Sequence, residues 1–364
     1  MKKPMKRVLL FALVVLVVLL ARPAAQHARA ASVLRSFSDA TSHADVTEER
    51  LTFGNGIPAR LYAPRGGERK HGIVLVHGVQ YLGIEEPRLE RLARSLAREG
   101  VVVFTPAVTE LSDYRVAPHS IETIGAAVVA LRERLGTKQV GLMGTSFGGG
   151  LSLLAASDAR WASQIAFVVA VGAHDDLGRV SHFFLDDETP TVDGGTRKLR
   201  AHGYGTMVLV YSRAADFFAP GDVKVAEDAL RSWLHEERDV ARKTMEACSA
   251  ECRARLAALF GDGGMHDEIA RELEGHAAEM AAVSPRGRLG GITANVYLLH
   301  GEGDTVIPAT ETEWLAHDVP AARLRTALIS PAIEHVELKS PGTWDMWQLV
   351  HFMGEVIAEA DAAQ

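Results

Sequence analysis

The chain has 364 residues, of which 47% are hydrophobic, and its formal net charge is −7. This length can hold one large α/β domain or two smaller ones, and the apolar content is sufficient for a proper core. The acidic balance argues against nucleic acid as a partner, because phosphate backbones are bound by basic surfaces.

The first thirty residues have the pattern of an export signal. Four basic residues within positions 2–7 precede an apolar run of 14 residues, Val8 to Ala21, and Ala28-Arg29-Ala30 has small residues where signal peptidase prefers them. As a helix this run is about 21 Å long, short of the ~30 Å hydrocarbon core of a bilayer. We therefore expect a signal peptide, with an uncleaved anchor in the inner membrane as the alternative. In both cases we expect the rest of the chain to be exported, as a periplasmic or secreted protein.

The body of the chain reads as an α/β domain. Residues 31–47 are rich in Ser, Ala, Thr and Asp without periodicity, which predicts a linker. Two strands around the turn Gly54-Asn55-Gly56 follow, since Asn-Gly between apolar residues favours a hairpin. Buried strands and amphipathic helices then alternate, which predicts a doubly wound, mostly parallel sheet. We assign residues 48–176 and 289–364 to this core.

A serine turn, Gly144-Thr145-Ser146-Phe147-Gly148, lies between a short buried strand, Gln139 to Met143, and a helix opened by Leu151 to Ala156. Glycines two before and two after the serine remove side chains that would clash in so tight a turn. The hydroxyl is then pushed out above the sheet edge, and the first N–H groups of the helix point toward it. Ser146 is therefore the predicted nucleophile, and an ordinary glycine turn is the alternative.

Residues 177–288 have helical runs and no buried strand that we would predict, which indicates a helical cap inserted after the sixth strand. Phe183-Phe184 and Phe217-Phe218 would give the cap an apolar underside, and such residues are more often core than substrate contacts. Cys248 and Cys252 lie four apart in a helical pattern, where a disulfide and two free thiols are both compatible with an oxidising compartment. No histidine stands at ligand spacing from them, so we predict no metal site.

A serine hydroxyl is a poor nucleophile at neutral pH and needs a base within reach and an acid that orients the base. His335 is the predicted base, because it lies in a loop past a strand end, whereas the other two histidines beyond Asp304 fall in predicted helices. Asp304, in a Gly-x-Gly-Asp-x-x-Ile-Pro loop, is the predicted acid. The pair Asp175-Asp176 also follows a strand at this edge and is its rival, with a helix N-cap as the alternative role.

The oxygen anion that forms in acyl transfer is stabilised by two N–H donors. Phe147 supplies one as the first residue of the helix after Ser146, and the loop after the strand at residues 71–78 is the usual source of the second, which we assign to Val79. The residues predicted to contact the substrate are Gln80, Tyr81, Phe183 and Phe184.

The order Ser146, Asp304, His335, with His77-Gly78 before the serine turn and His300-Gly301-Glu302-Gly303-Asp304 after it, resembles the α/β-hydrolase superfamily. The resemblance implies a serine hydrolase in which Ser146 attacks a carbonyl, His335 moves the proton and Asp304 orients His335. It implies no metal or organic cofactor. The chain has serine at the turn, where the dienelactone hydrolases have cysteine and the dehalogenases have aspartate. It also lacks the glycine-rich loop of the hormone-sensitive lipase branch, since His77-Gly78-Val79-Gln80 has no consecutive glycines.

The predicted function is hydrolysis of a carboxylic ester, with a small-molecule ester or acyl compound as the substrate. An amidase or peptidase, a thioesterase and an acyltransferase use the same three residues and stay open as alternatives. A non-catalytic binding module of the cell envelope with the same fold is an alternative of another class, because fold alone does not settle function.

Overall fold

The computed structural model describes residues 23–39, 45–66, 71–261, 264–334, 337–338 and 342–363. The apolar run at residues 8–21 lies outside these ranges, as does the predicted base His335. None of the described helices has the length and apolar character that a membrane crossing requires.

The described core is built on an eight-stranded sheet in the order β1-β2-β4-β3-β5-β6-β9-β10. The strands from β3 onward are parallel, while β2 runs antiparallel to both β1 and β4. The central strands are almost wholly buried, as expected of parallel strands covered on both faces. The sheet strands are β1 (Val46–Phe53), β2 (Ile57–Pro64), β3 (Gly72–Val76), β4 (Val102–Pro106), β5 (Val140–Thr145), β6 (Ile165–Val171), β9 (Asn295–Gly301) and β10 (Leu324–Ser330).

Helices cover both faces of this sheet, which confirms the predicted doubly wound α/β architecture. One face packs against α1, α2 and α15, and the other packs against α4, α5 and α14. The helices of the core are α1 (residues 23–38), α2 (Pro87–Arg98), α3 (Thr109–Ser112), α4 (Pro118–Leu135), α5 (Phe147–Ser157), α14 (Thr310–Asp318) and α15 (Thr343–Ala362). A short two-stranded hairpin, β11 (Ile333–Glu334) and β12 (Glu337–Leu338), follows β10.

The N-terminal helix α1 is a correction to the sequence analysis, which predicted a linker over residues 31–47. Residues up to 38 are helical, and Ala30 and Val33 are 0% and 1% exposed in the core beneath α2 and α15. Arg29 fixes the helix near its middle, because its guanidinium donates to Asp361 Oδ2 at 2.7 Å and to the carbonyl oxygen of Glu99 at 2.5 Å. These contacts are made with residues far along the chain, so local composition could not indicate them.

The segment between β6 and β9 is mainly helical. Its described helices are α6 (Leu177–Asp186), α7 (Tyr204–Ser212), α8 (Ala214–Phe217), α9 (Val223–Leu234), α10 (Arg238–Thr244), α11 (Ala250–Phe260), α12 (His266–Gly275) and α13 (Ala277–Ala282). The segment also contains an exposed hairpin, β7 (Glu188–Pro190) with β8 (Thr196–Lys198), which the sequence analysis did not predict. It has its own apolar core, and within that core Cys248 and Cys252 form a disulfide. The chain boundaries of the predicted domains otherwise stay predictions.

Candidate active site

Ser146 occupies a strained turn between β5 and α5. Its φ of 54° and ψ of −135° are unusual for a residue with a side chain, and such strain concentrates at functional sites. The two glycines are required by close approach: a Cβ at Gly144 would lie 2.3 Å from the carbonyl oxygen of Gly148, and one at Gly148 would lie 2.4 Å from that of His77. The serine N–H donates to the carbonyl oxygen of Val171 at 2.7 Å, which fixes the turn to the end of β6.

The two predicted oxyanion donors are available. Phe147 opens α5, so its N–H has no partner within the helix, and Val79 lies in the loop after β3. Among the described residues none accepts a hydrogen bond from the N–H of Val79 or of Phe147. Gly78, between this loop and the serine, is so close that a Cβ on it would lie 2.9 Å from the Cβ of Ser146. Two amide donors without an acceptor among the described residues therefore lie on the serine turn and on the loop that packs against it.

The cap holds the loop that carries Val79. The hydroxyl of Tyr204, at the start of α7, donates to the carbonyl oxygen of Val79 at 3.1 Å. Two residues earlier, the N–H of His202 donates to the carbonyl oxygen of Thr305 at 2.8 Å. The segment 202–204 thus connects the loop of the predicted oxyanion donor with the loop of the predicted acid. Burial raises the pKa of Tyr204, so its hydroxyl keeps the proton that it donates.

His77 supports the same loop from below. Its Nδ1 lies 2.8 Å from the carbonyl oxygen of Gly78, and its Nε2 accepts from the N–H of Val108 at 3.1 Å. Because a carbonyl oxygen only accepts, the proton must be on Nδ1 and the ring is neutral. Burial lowers the pKa of His77 to about 4, which keeps the ring neutral near pH 7. His77 is thus a structural residue in this arrangement.

Asp304 lies in the loop after β9, two strands away from β5 at the same edge of the sheet. Its side chain is 0% exposed, and its Oδ1 accepts from the N–H groups of Val306 at 2.8 Å and Ile307 at 3.0 Å. Its Oδ2 lies 3.5 Å from Nε2 of His300. These hydrogen bonds from backbone N–H groups hold the carboxylate in one orientation, as is required of an acid that orients the catalytic base. His335 lies outside the described residues, so its role as the base stays a prediction.

The rival acids Asp175 and Asp176 have other partners. Asp176 caps α6, because its Oδ1 accepts from the N–H groups of Gly178 and Arg179 at 2.8 and 3.2 Å. Asp175 is 0% exposed and its Oδ2 accepts from Arg179 at 2.9 Å. Burial raises the pKa of Asp175 to about 7, although Arg179 opposes this shift. The pair therefore anchors the start of the cap to the sheet, with Glu311 as a third buried acid bound to Arg179.

The predicted substrate contacts are dispersed. Gln80 lines the cavity into which Ser146 faces, but its side chain bonds within its own loop, to the carbonyl oxygen of Gly83 and the N–H of Leu82. Tyr81 is 44% exposed and stacks on the ring of His235 in the cap. Phe183 and Phe184 are buried in the core, and neither lines the cavity. Substrate contact by these side chains stays a prediction, and core packing is the role that the contacts of the two phenylalanines favour.

The cavity beside Ser146 has a free volume of about 90 Å³ and is bounded by the loop of residues 77–80, the start of α2 and Phe37 of α1. Neither Phe37 nor Tyr204 is among the site residues predicted from the sequence. The helical spacing of Ala30, Val33 and Phe37 indicates that Phe37 faces the core, but this pattern extends across the expected cleavage site after Ala30. No signal in the sequence marks Tyr204, whose bond joins residues 125 positions apart.

No protein-family model matches the sequence, and a search of curated proteins finds no match. Solved structures are similar at low identity. Est1E from Butyrivibrio proteoclasticus is 14% identical over 86% of this chain and 99% of its own, with a TM-score of 0.45. A serine hydrolase from Cycloclasticus zankles is 15% identical over 87% and 96%, with a TM-score of 0.43. An acylaminoacyl peptidase is 13% identical over 86% of this chain and 41% of its own, with a TM-score of 0.48.

Sequence identities and TM-scores this low do not indicate which reaction this chain catalyses. The architecture rests on the chain's own topology. The mostly parallel sheet of eight strands carries helices on both faces, and a strained serine turn leaves the end of the central strand β5. The cap is inserted between β6 and β9. The chain therefore has the α/β-hydrolase fold, as its sequence predicts.

Proposed function

We propose that this protein is a serine hydrolase that cleaves a carboxylic ester through an acyl-enzyme intermediate. The observation that carries the proposal is Ser146, held at a positive φ beside the N–H groups of Phe147 and Val79, from which no described residue accepts a hydrogen bond. A strained serine next to two free amide donors is the arrangement that stabilises the oxygen anion formed when a serine attacks a carbonyl.

In the proposed reaction, Oγ of Ser146 attacks the ester carbonyl carbon while His335 removes the hydroxyl proton. The carbonyl oxygen becomes an anion between the N–H groups of Phe147 and Val79. Protonated His335 then gives its proton to the leaving alkoxide, the C–O bond breaks and the alcohol departs. Water, activated by the same histidine, hydrolyses the acyl-enzyme and regenerates Ser146. Asp304, held by two backbone amides, orients His335 throughout.

The surroundings of the serine suit an acyl compound with a hydrocarbon part. The cavity at Ser146 adjoins an apolar one through shared wall residues, which suits the hydrocarbon part of a simple ester. An amide, a thioester or transfer to an acceptor other than water requires the same catalytic groups and is distinguished by the assay.

We further propose that the protein is exported, and that residues 1–22 hold it at the membrane. The basic start and the apolar run support export. Retention of the segment is supported by the contacts of α1, because cleavage after Ala30 would remove Arg29 and its bonds to Asp361 and Glu99. Fractionation of cells with N-terminal sequencing tests this: a mature chain that begins after Ala30 in the soluble fraction contradicts retention.

The reaction is tested with the full chain and its Ser146→Ala variant on p-nitrophenyl esters from acetate to decanoate. We expect the variant to lose at least about 10⁴-fold in kcat, because removal of a catalytic serine leaves only binding and the oxyanion donors. Equal turnover by both proteins would contradict the proposal. No ester turnover, with Ser146 still reactive toward fluorophosphonates, would redirect the assay to amides, thioesters and acyl acceptors. No reaction of any kind would favour the binding module.

A further inference from the structure

The N-terminal helix α1 reaches the candidate active site, although it lies upstream of the predicted hydrolase core. Phe37, near its end, lines the cavity into which Ser146 faces. Phe37 also lines a second cavity of about 80 Å³. The two cavities share three wall residues, namely Phe37, Leu92 of α2 and Thr145, and Thr145 immediately precedes the nucleophile. The two spaces are therefore adjacent, and these three residues border both of them.

The second cavity is almost wholly apolar. Of the twelve described residues that line it, only Thr145 is polar. Its walls come from the carboxyl ends of the central strands, through Val171 and Leu299, and from α15, through Leu349 and Phe352. A dry apolar space next to a nucleophile fits a hydrocarbon chain, because a buried methylene gains about 0.8 kcal/mol, which is about fourfold in affinity.

The wall formed by α1 is fixed in place. Ala30 and Val33 lie on the same helical face as Phe37 and are buried against the core. The guanidinium of Arg91 lies over the Phe37 ring, 5.7 Å from its centroid. Arg98 donates to Ser36 Oγ at 3.3 Å. Contacts in the middle and at the C-terminal end of α1 thus determine where the Phe37 ring lies.

We propose that the second cavity receives the aliphatic acyl chain of the substrate, and that Phe37 and Leu34 of α1 set the chain length that the enzyme accepts. The acyl group is the part of the ester that becomes bonded to Ser146, so its chain starts beside Thr145 and continues past Phe37 into the apolar space. This inference rests on the proposed ester hydrolysis and names the substrate class of the same site. The residues that limit the chain length are then supplied by a helix outside the hydrolase core that the sequence predicts.

Two variants of the full chain with opposite expected effects test the inference. Leu34→Phe fills the cavity from a half-buried position and is expected to lower the ratio of kcat/KM for hexanoate over acetate by about tenfold or more, because at least two methylenes are excluded. Phe37→Ala removes the wall and is expected to raise the same ratio at least about fourfold. Phe260→Ala is the matched control, since this phenylalanine is also half-buried but stacks on Trp233 in the cap. It should leave the ratio unchanged.

The outcomes separate this inference from the proposed function. Opposite shifts in the two variants, with folded proteins confirmed by thermal melting, support the acyl cavity. Unchanged ratios in a folded Leu34→Phe variant overturn it while leaving ester hydrolysis intact. If the wild type hydrolyses no ester, the proposed ester hydrolysis is wrong. The acyl cavity is then tested by the ratio of labelling rates for hexyl and methyl fluorophosphonates, which should shift in the two variants as the ester ratio would. If Ser146 reacts with neither ester nor fluorophosphonate, both proposals fail.

Discussion

The serine turn and the N-terminal helix α1 bound the same cavity, yet they are specified in different ways. The turn depends on residues adjacent in sequence: the glycines at 144 and 148 let backbone atoms approach closely, and the buried strand β5 fixes its direction. The helix α1 depends on distant residues, through Arg29 with Asp361 and the burial of Ala30 and Val33. A site can therefore combine a nucleophile that local sequence defines with a wall that only the tertiary structure defines.

Among the variants that keep Ser146, the largest effect is expected at the turn itself, from Gly148→Ala. The new Cβ would lie 2.4 Å from the carbonyl oxygen of His77. A Cβ and a carbonyl oxygen are fixed to the backbone, so the clash cannot be relieved by a side-chain rotation. A shift of about 1 Å between the serine and the oxyanion loop costs about 100-fold in kcat. Gly275→Ala is the control, because no atom lies within 4 Å of its new Cβ. Full activity in Gly148→Ala would mean that the close approach is not required.

The loop beneath the turn should give the protein a pH-dependent stability. His77 has a folded pKa of about 4 against about 6.5 in an unfolded chain, so below pH 6.5 the unfolded state binds more protons. The contribution of His77 to stability is then lost as pH falls from 6.5 toward 4, by about 2 kcal/mol between pH 7 and pH 5. Burial lowers the pKa of His174 as well, which adds in the same direction. Asp175, whose pKa burial raises to about 7, contributes in the opposite direction, so the effect of His77 is read from the difference between the wild type and a variant.

Urea unfolding at pH 7 and pH 5 measures this loss, and His77→Gln is the informative variant. Glutamine can donate to Gly78 and accept from Val108 without titrating. On going from pH 7 to pH 5 we expect the variant to lose about 2 kcal/mol less stability than the wild type, because only the titration of His77 differs between them. An equal change in both proteins would show that His77 is not the source.

A smaller effect is expected from the cap's contact with the oxyanion loop. Tyr204→Phe removes the hydrogen bond to the carbonyl oxygen of Val79, worth about 1 kcal/mol, and should lower kcat about fivefold with little change in KM. Tyr211→Phe is the matched control on the same helix, because its hydroxyl bonds to Asp113 Oδ1 at 2.6 Å instead of the loop. If both variants lower kcat equally, the loss reflects the cap's stability and not the position of Val79.

The smallest effect is expected in the part of α1 that lies away from the cavity. Arg29→Ala removes the bonds to Asp361 and Glu99 and should destabilise the protein by about 1 kcal/mol, because the side chain is partly exposed. Arg35→Ala, an exposed arginine on the same helix, should change the melting temperature little. Equal melting temperatures for the two variants would contradict the anchoring role of Arg29.

The sheet and the serine turn were predictable because both have local signatures. Parallel strands buried on two faces appear as continuous apolar runs, as in residues 73–76 and 165–171, and glycine spacing marks the turn. The candidate acid was also predictable, since the loop around Asp304 bonds its carboxylate to backbone amides within three residues.

The remaining parts of the site depend on contacts that no local pattern encodes. The composition of residues 31–47, which lack periodicity, predicts a linker that includes Phe37, and the predicted cleavage after Ala30 hides the helical face that Phe37 shares with Ala30 and Val33. Phe183 and Phe184 are apolar aromatic residues of a kind that could line a substrate pocket or pack in the core. They pack into the core, and only the residues around them in the folded chain distinguish the two roles. The bond from Tyr204 to Val79 joins the cap to the core across 125 positions.

The central claim is that Ser146 is the nucleophile, and covalent trapping tests it most directly. The full chain is incubated with ethyl fluorophosphonate, and the adduct is located by intact mass and peptide mapping. We predict one adduct on the peptide that contains Ser146, formed at the P atom with loss of fluoride, and none in the Ser146→Ala variant. An unmodified Ser146, or an adduct on another residue that persists in the variant, would contradict the account.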